Sequence, residues 1–321
     1  MTNEARPKIT VKSMTMDNVL GWQTSLYNLY VKLPDGRFVI VLRKGNPVDR
    51  DRLQKYVTKG VSVLFASHVE IPDGTTEAGV NTMSVAESTK FQALEKASEA
   101  VFDELREMGI TEAAFHHAKT ISKAVRSMLY RDPALSEAFD KFQDLCREDV
   151  RHSLMVSALS TIIVSSMDWV KPATHENVAM GGLLHDFGRF MLPREIVDAD
   201  PNTLSSSDRK ILEGHAETGR ALLSQIKTIP EDIQMIVAHH HERSDGSGYP
   251  SGLKDLYIHP LARVVGLANE IVEYYESERD AGRVHEVRFV IESVLNRQAS
   301  KFNRDLVKSL RAMLETDMII R

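Results

Sequence analysis

The stretch "AHHHERSDGSGYP", residues 238–250, sets His239, His240 and His241 side by side, follows them with Glu242, and runs into a glycine-rich turn closed by Tyr249 and Pro250. Three consecutive imidazoles have two readings, the solvated end of a helix or part of a metal site. Eight of the twelve histidines (His152, His175, His185, His215, His239, His240, His241 and His259) fall between residues 152 and 259, a third of the chain, so their positions must decide. His152 lies four residues after Glu148 in "EDVRHSLMVSAL", which puts both side chains on one face of a helix. "GGLLHDFGRF" delivers His185 and Asp186 after an apolar run, where burying an unpaired carboxylate would be costly. His215 belongs to another helical segment, "EGHAETGRALL". With His240 and His241, four helices offer imidazoles and carboxylates, a mixture that suits iron, manganese or zinc rather than magnesium or calcium. An aspartate bridging two cations roughly 3.5–4 Å apart needs such a set around it. Taken singly, His152 or His215 reads more readily as a satisfied core histidine; the conjunction carries the metal reading.

The composition sets the frame. At 321 residues the chain has length for about two domains. Apolar content of 42% and charged content of 26% are those of a globular protein, and a net charge of −5 provides no basic field for a nucleic-acid polymer or an anionic membrane. Cys146 is the only cysteine, which excludes an intramolecular disulfide and fits a reducing compartment. Residues 1–20 lack an apolar core of signal-peptide length, and the apolar stretch around Leu159 to Val170 is too short and too polar to span a bilayer. A cytoplasmic protein without a membrane anchor is the expectation.

The organisation changes near residue 75. "LYNLYVKLPDGRFVIVLRKG" reads as two strands joined at Pro34-Asp35-Gly36, "VDRDRLQKYVTKG" as a helix stopped at Gly60, and "VSVLFA" as a further strand. Trp22, Tyr27, Tyr30 and Phe38 read as core, and nothing here has catalytic spacing. "PDGTTEAGVNT" reads as a linker. From Ser84 the pattern is helical: Ser84 to Glu87 fits a capping box, the first helix runs to Met108 and is stopped by Gly109, and Thr111 caps a second that runs to about Tyr130. These two amphipathic helices suit a connecting hairpin, a homodimer interface, or packing on the C-terminal domain. The expected fold is an α+β N-terminal module (1–75), a linker with connecting helices (76–140) and an all-α helical bundle (141–321).

His185-Asp186, "HHERSDGSGYPSGL" at 240–253, "ARV" at 262–264 and the "FNRDLVKSL" tail resemble the HD-GYP family over roughly residues 140 to 315. That family is a subset of the HD-domain metal-dependent phosphohydrolases, typically cyclic di-GMP phosphodiesterases. The resemblance implies an HD-type helical bundle around two or three transition-metal ions, iron foremost and manganese next. It implies ligation by His152, His185, Asp186, His215, His240 and His241, with Asp186 bridging, and a third metal through Glu148. His239 has no counterpart in that set. The resemblance further implies that Arg189 serves catalysis and, with Tyr249 and Gly248, contacts substrate; Gly246 and Gly248 are expected to turn the backbone through positive φ.

Three positions depart from the family pattern. Asn269 stands where the family has a metal-ligating aspartate, which removes a unit of balancing charge. Arg189 stands in place of a phosphate-contacting lysine, which keeps charge but changes its geometry. "YYESERDAGR" is more acidic than the family's substrate segment. The function implied is metal-assisted hydrolysis of cyclic di-GMP to linear pGpG or GMP. The competing reading is a weak or inactive receptor or scaffold that binds cyclic di-GMP, and a third is an HD-type hydrolase of another nucleotide. Residues 1–75 are expected to regulate or to bind a protein partner, for example a diguanylate cyclase.

Overall fold

Alternating apolar residues in the first part of the chain form strands, and their inward faces make a core. In the computed structural model, which describes residues 12–25, 27–32, 38–67, 87–131, 142, 147–167, 170–200, 203–283 and 285–315, the chain falls into two units, Met1–His117 and Ala118–Arg321. The first unit holds an antiparallel sheet of β1 (Lys12–Thr15), β2 (Asn28–Lys32), β3 (Phe38–Leu42) and β4 (Val63–Ser67), in the order β1-β4-β2-β3. Two short helices, α1 (Met16–Leu20) and α2 (Arg50–Val57), accompany it. Met16, Val19, Leu29, Val31, Val41, Leu53 and Leu64 form one buried cluster, with Trp22 and Tyr27 packed against its edge. Asp49 caps α2 by accepting from the Arg52 amide, and Gly60, with φ of 86°, turns the chain into β4. The sequence pattern reveals β2, β3, α2 and β4 but not β1 and α1. The reason is length: four and five residues give too few periods to read.

The expected turn at Pro34-Asp35-Gly36, the linker around residue 75, the Ser84 end of the capping box and Cys146 lie outside the described residues. Helix α3 spans Glu87–Met108 and α4 spans Glu112–Arg131. Gly109 between them takes φ of 70°, and the Thr111 hydroxyl accepts from the Ala114 amide as an N-cap. Their apolar positions, including Leu94, Val101, Leu105, Ile121 and Val125, are buried within the chain.

The second unit is helical: α5 (Glu148–Ser165), α6 (Pro172–Leu184), α7 (Arg194–Val197), α8 (Ser206–Glu213), α9 (His215–Leu223), α10 (Glu231–His239), α11 (Pro260–Asp280), α12 (Val287–Gln298) and α13 (Arg304–Glu315). A 3₁₀ turn, Phe187–Met191, follows α6. Helix α5 is apolar nearly all round, so it lies at the centre and packs against α6 and α11. Leu154, Met155, Leu159 and Ile163 are fully buried there, each worth about 1.5–3 kcal/mol of transfer. Among the described residues no helix is long and apolar enough to cross a membrane.

Two glycines in α6 set how closely its neighbours approach. A Cβ on Gly181 would meet Ile236 of α10, and one on Gly182 would meet the Ser157 Cα of α5 at 2.8 Å. The Ser157 hydroxyl uses that closeness to donate to the Ala179 carbonyl at 2.8 Å. Because the atom in the way is backbone, Gly182→Val must push α5 and α6 apart. We expect a loss of about 1–3 kcal/mol, read as a melting temperature lower by several degrees; an unchanged melting temperature would refute this packing argument.

Candidate metal centre

His185 and His240 cap helix C-termini and His215 opens α9 just past the end of α8, and the carbonyls of those helix ends decide which ring nitrogen is free. His185 follows α6 and its Nδ1 lies 2.8 Å from the Gly182 carbonyl; His240 follows α10 with Nδ1 2.8 Å from Val237; His215 follows α8 with Nδ1 2.6 Å from Leu212. Each is a contact to the carbonyl three residues back, one of the acceptors that a helix end leaves unpaired. A carbonyl only accepts, so Nδ1 carries a hydrogen, and Nε2, directed away from the helix end, is the ring nitrogen left to ligate. Those Nε2 atoms converge: His215 and His240 at 3.3 Å, His185 and His152 at 3.2 Å.

Asp186 stands between them. Its Oδ1 is 3.2 Å from His215 Nε2 and 3.6 Å from His240 Nε2, and its Oδ2 is 3.7 Å from His185 Nε2. Two groups of ligand atoms, Asp186 with His215, His240 and His241 and Asp186 with His152 and His185, each lie within 4.8 Å of one another and could hold a metal ion. They share one carboxylate. The Asp186 Oδ1 is buried with no well-aligned hydrogen bond, an arrangement that a cation satisfies better than an imidazole N–H does. The donor set therefore fits the metal ions that HD domains bind.

The ionisation states agree with that use. Burial keeps His185 neutral down to about 3, and burial likewise lowers His240 and His241. Burial pushes the Asp186 carboxyl up, but Arg189, His185, His215 and His240 outweigh it and hold it well below its ordinary value. His152 differs. Burial opposes its charge, yet the hydrogen bond and charge of Glu276, with Asp186 and Glu273 behind, raise it to about 9.

Helix α11 supplies the partners of His152. Glu276 accepts from His152 Nδ1 at 2.9 Å and from Arg151 Nε at 3.1 Å, and Asn269 Oδ1 lies 2.9 Å from His152 Nε2. Sequence reasoning missed Glu276, reading it only as part of an acidic segment. Its signal was its spacing, seven residues after Asn269 on the same helical face. Glu242 was missed as well: buried, it accepts from the Ser251 and Leu253 amides at 2.7 and 2.8 Å and ties the Gly-Tyr-Pro turn to the histidine run.

The other expected residues are placed as follows. Arg189 donates to Asp186 Oδ2 at 3.0 Å and remains about a third exposed. The Tyr249 ring stacks on His241 with centroids 4.5 Å apart. Glu148 lies in the first turn of α5, exposed and outside both groups. The His239 Nδ1 accepts from the His259 amide at 3.3 Å and joins neither group. Gly246 takes φ of 83° as expected, but Gly248 does not adopt positive φ. Its constraint is space: a Cβ would run into the His241 carbonyl oxygen and the Arg243 amide.

Comparison with known proteins gives a consistent picture. Residues 109–287 match the family described as HD domain. A cyclic di-GMP phosphodiesterase of Pseudomonas aeruginosa is 26% identical over 222 residues, 68% of this chain and 52% of its own length. A cyclic di-GMP phosphodiesterase response regulator of Xanthomonas campestris is 28% identical over 47% of this chain and 36% of its own. A cyclic di-GMP phosphodiesterase of Thermotoga maritima is 32% identical over 38% of this chain and 33% of its own. The chain thus spans about half or less of the curated relatives it matches. An HDG"Y"P protein from Bdellovibrio bacteriovorus has a similar fold, with a TM-score of 0.60 at 18% identity, covering 95% of this chain and all of that one.

The raised His152 has a measurable consequence. Its metal-free pKa lies above the ordinary 6.5, at about 9, so the ring keeps a proton that a cation at Nε2 must displace. Apparent affinity at the His152 group should rise with pH from 6.5 towards 9, by about tenfold per unit, and flatten above. Glu276→Gln removes the group that holds the proton and should shift the flattening to lower pH. Manganese titration of metal-free protein across this range checks both; an affinity independent of pH would contradict the assignment.

Proposed function

We propose, from the premise that the chain belongs to the HD domain family, that it is a metal-dependent phosphodiesterase hydrolysing cyclic di-GMP to linear pGpG, GMP or both. The observation that carries the reading is the single carboxylate of Asp186 shared by two converging groups of imidazoles. The names of the Pseudomonas, Xanthomonas and Thermotoga relatives support the substrate class. We propose iron as the resident metal, with manganese the alternative, one ion in each group and a third where Glu148 is recruited. When bound, two cations so held supply Lewis acidity and lower the pKa of water.

The remaining roles fall to the chain's own residues. Asp186, common to both groups, would contribute its carboxylate to each ion held there. Arg189, locked by Asp186 on one side and open on the other, offers its exposed N–H groups to a phosphate oxygen. Tyr249, braced against His241, presents its hydroxyl to phosphate or guanine, and Gly248 brings backbone close to the same space. Residues 1–75 are proposed to regulate this site or to bind a protein partner such as a diguanylate cyclase. A receptor reading has one observation in its favour: at Asn269 a neutral amide faces His152.

One preparation separates the readings. His185→Ala and Asp186→Ala should each strip most of the metal. Loss of an orienting partner behind a ligand costs about 10–100-fold, so loss of a ligand should lower cyclic di-GMP hydrolysis by more than about 100-fold. Full metal content and turnover in both variants would overturn the proposal. Tight binding of cyclic di-GMP by metal-loaded wild-type protein, with no linear product formed, would favour the receptor.

A further inference from the structure

Asn269 is buried, and both ends of its amide are engaged. Its Oδ1 lies 2.9 Å from His152 Nε2, and its Nδ2 donates to Glu273 Oε1 at 2.9 Å. The two ends of an amide differ in kind: the oxygen can face a cation and the NH2 group repels one. A carboxylate only accepts, so Glu273 compels the NH2 to turn towards itself and leaves the oxygen on the side of His152 Nε2, a ligand atom of the second group. Without that acceptor, a half-turn about the amide would present hydrogens to the metal side.

The arrangement is fixed by the helix. Asn269 and Glu273 are four residues apart on α11, and Glu276 follows three further on, so one face of one helix meets both nitrogens of His152. Glu273 also brings a negative charge one hydrogen bond behind the amide, in a centre where both groups draw on the one carboxylate of Asp186. Glu273 is exposed, and among the described residues no cation is paired to it, unlike Glu276, which holds Arg151, and Glu270, which holds Arg243.

We propose that Glu273 is the positioning residue that makes Asn269 an oxygen donor facing the His152 cation, so that the Asn269–Glu273 pair does what a single ligating carboxylate would do at that place. This rests on the metal reading above. It explains how a site can keep a cation beside His152 with an amide where a carboxylate is expected. It also makes the two positions interdependent, because an aspartate at 269 would need no such orientation and would be repelled by Glu273.

The test is a cycle in the full chain, reading manganese(II) affinity and stoichiometry at equilibrium rather than turnover. Glu273→Gln lets the amide turn either way, and Glu273→Leu removes the acceptor. Each should weaken the His152-side ion by about 10–100-fold, as loss of an orienting partner does, and leave the ion at His215, His240 and His241 in place. In an Asn269→Asp background the same changes should cost nothing or tighten binding. Equal losses in both backgrounds, or no loss in either with two manganese ions bound by wild type, would overturn the role of Glu273 alone. Wild type that binds no manganese, with His185→Ala indistinguishable from it, would overturn the metal reading and this inference with it. Circular dichroism of each variant separates loss of the ion from loss of the fold.

Discussion

A carboxylate buried among imidazoles is the constraint on which the second unit depends. Asp186 cannot lose its charge cheaply, because the Arg189 guanidinium beside it favours the ionised form, and it cannot be hydrated, because its Oδ1 is buried. The surrounding rings cannot all become charged to balance it, because burial keeps His185, His240 and His241 neutral. The imidazoles facing Asp186 therefore offer lone pairs, and Arg189 alone among the named groups offers it a proton. Divalent cations held by the two groups would resolve that conflict, and would tie fold stability at the centre to metal binding.

The helix ends make this possible at little cost in design. A helix terminus leaves carbonyls unpaired, and at Gly182, Leu212 and Val237 an imidazole three residues on occupies one of them. The same contact fixes the tautomer and aims the ring. Close approach does the rest. A Cβ at Gly188 would overlap the His215 carbonyl oxygen, and one at Gly266 would crowd the carbonyl of His240. Small residues at these points let the backbone segments that carry ligands come within reach of one aspartate.

Much of this was legible in the sequence because it rests on local chemistry. His185-Asp186 after an apolar helix and the histidine run before a Gly-Tyr-Pro turn are features of adjacent residues, and the helical periods around His152 and His215 are strong. The α+β character of the first unit could be read from β2, β3, α2 and β4, whereas β1 emerges only through pairing with the distant β4, at Lys12 with Ala66 and Thr15 with Val63. Contacts of that kind leave no local period. Glu276 was misread for a related reason. Its acidity suggested a lost substrate segment, while its meaning lies in facing His152 from 124 residues away. Gly248 misled in another way, since glycine serves both positive φ and close approach, and only the backbone around it distinguishes them.

The charge arrangement at the opening bears on how metal and nucleotide would act on each other. Glu273 presents negative charge on the side where Arg189 and Tyr249 are also felt, and its field reaches both. A cyclic dinucleotide carries two phosphodiester charges, so in the metal-free protein Glu273 and Asp186 repel it while Arg189 is already engaged by Asp186. Cations held in the two groups would oppose that negative field. Under the proposed function, nucleotide affinity then depends on metal occupancy, and by reciprocity the nucleotide tightens its metals. The acidic face of α11 would strengthen that coupling, because it lacks the background attraction that a basic segment would give to any phosphate.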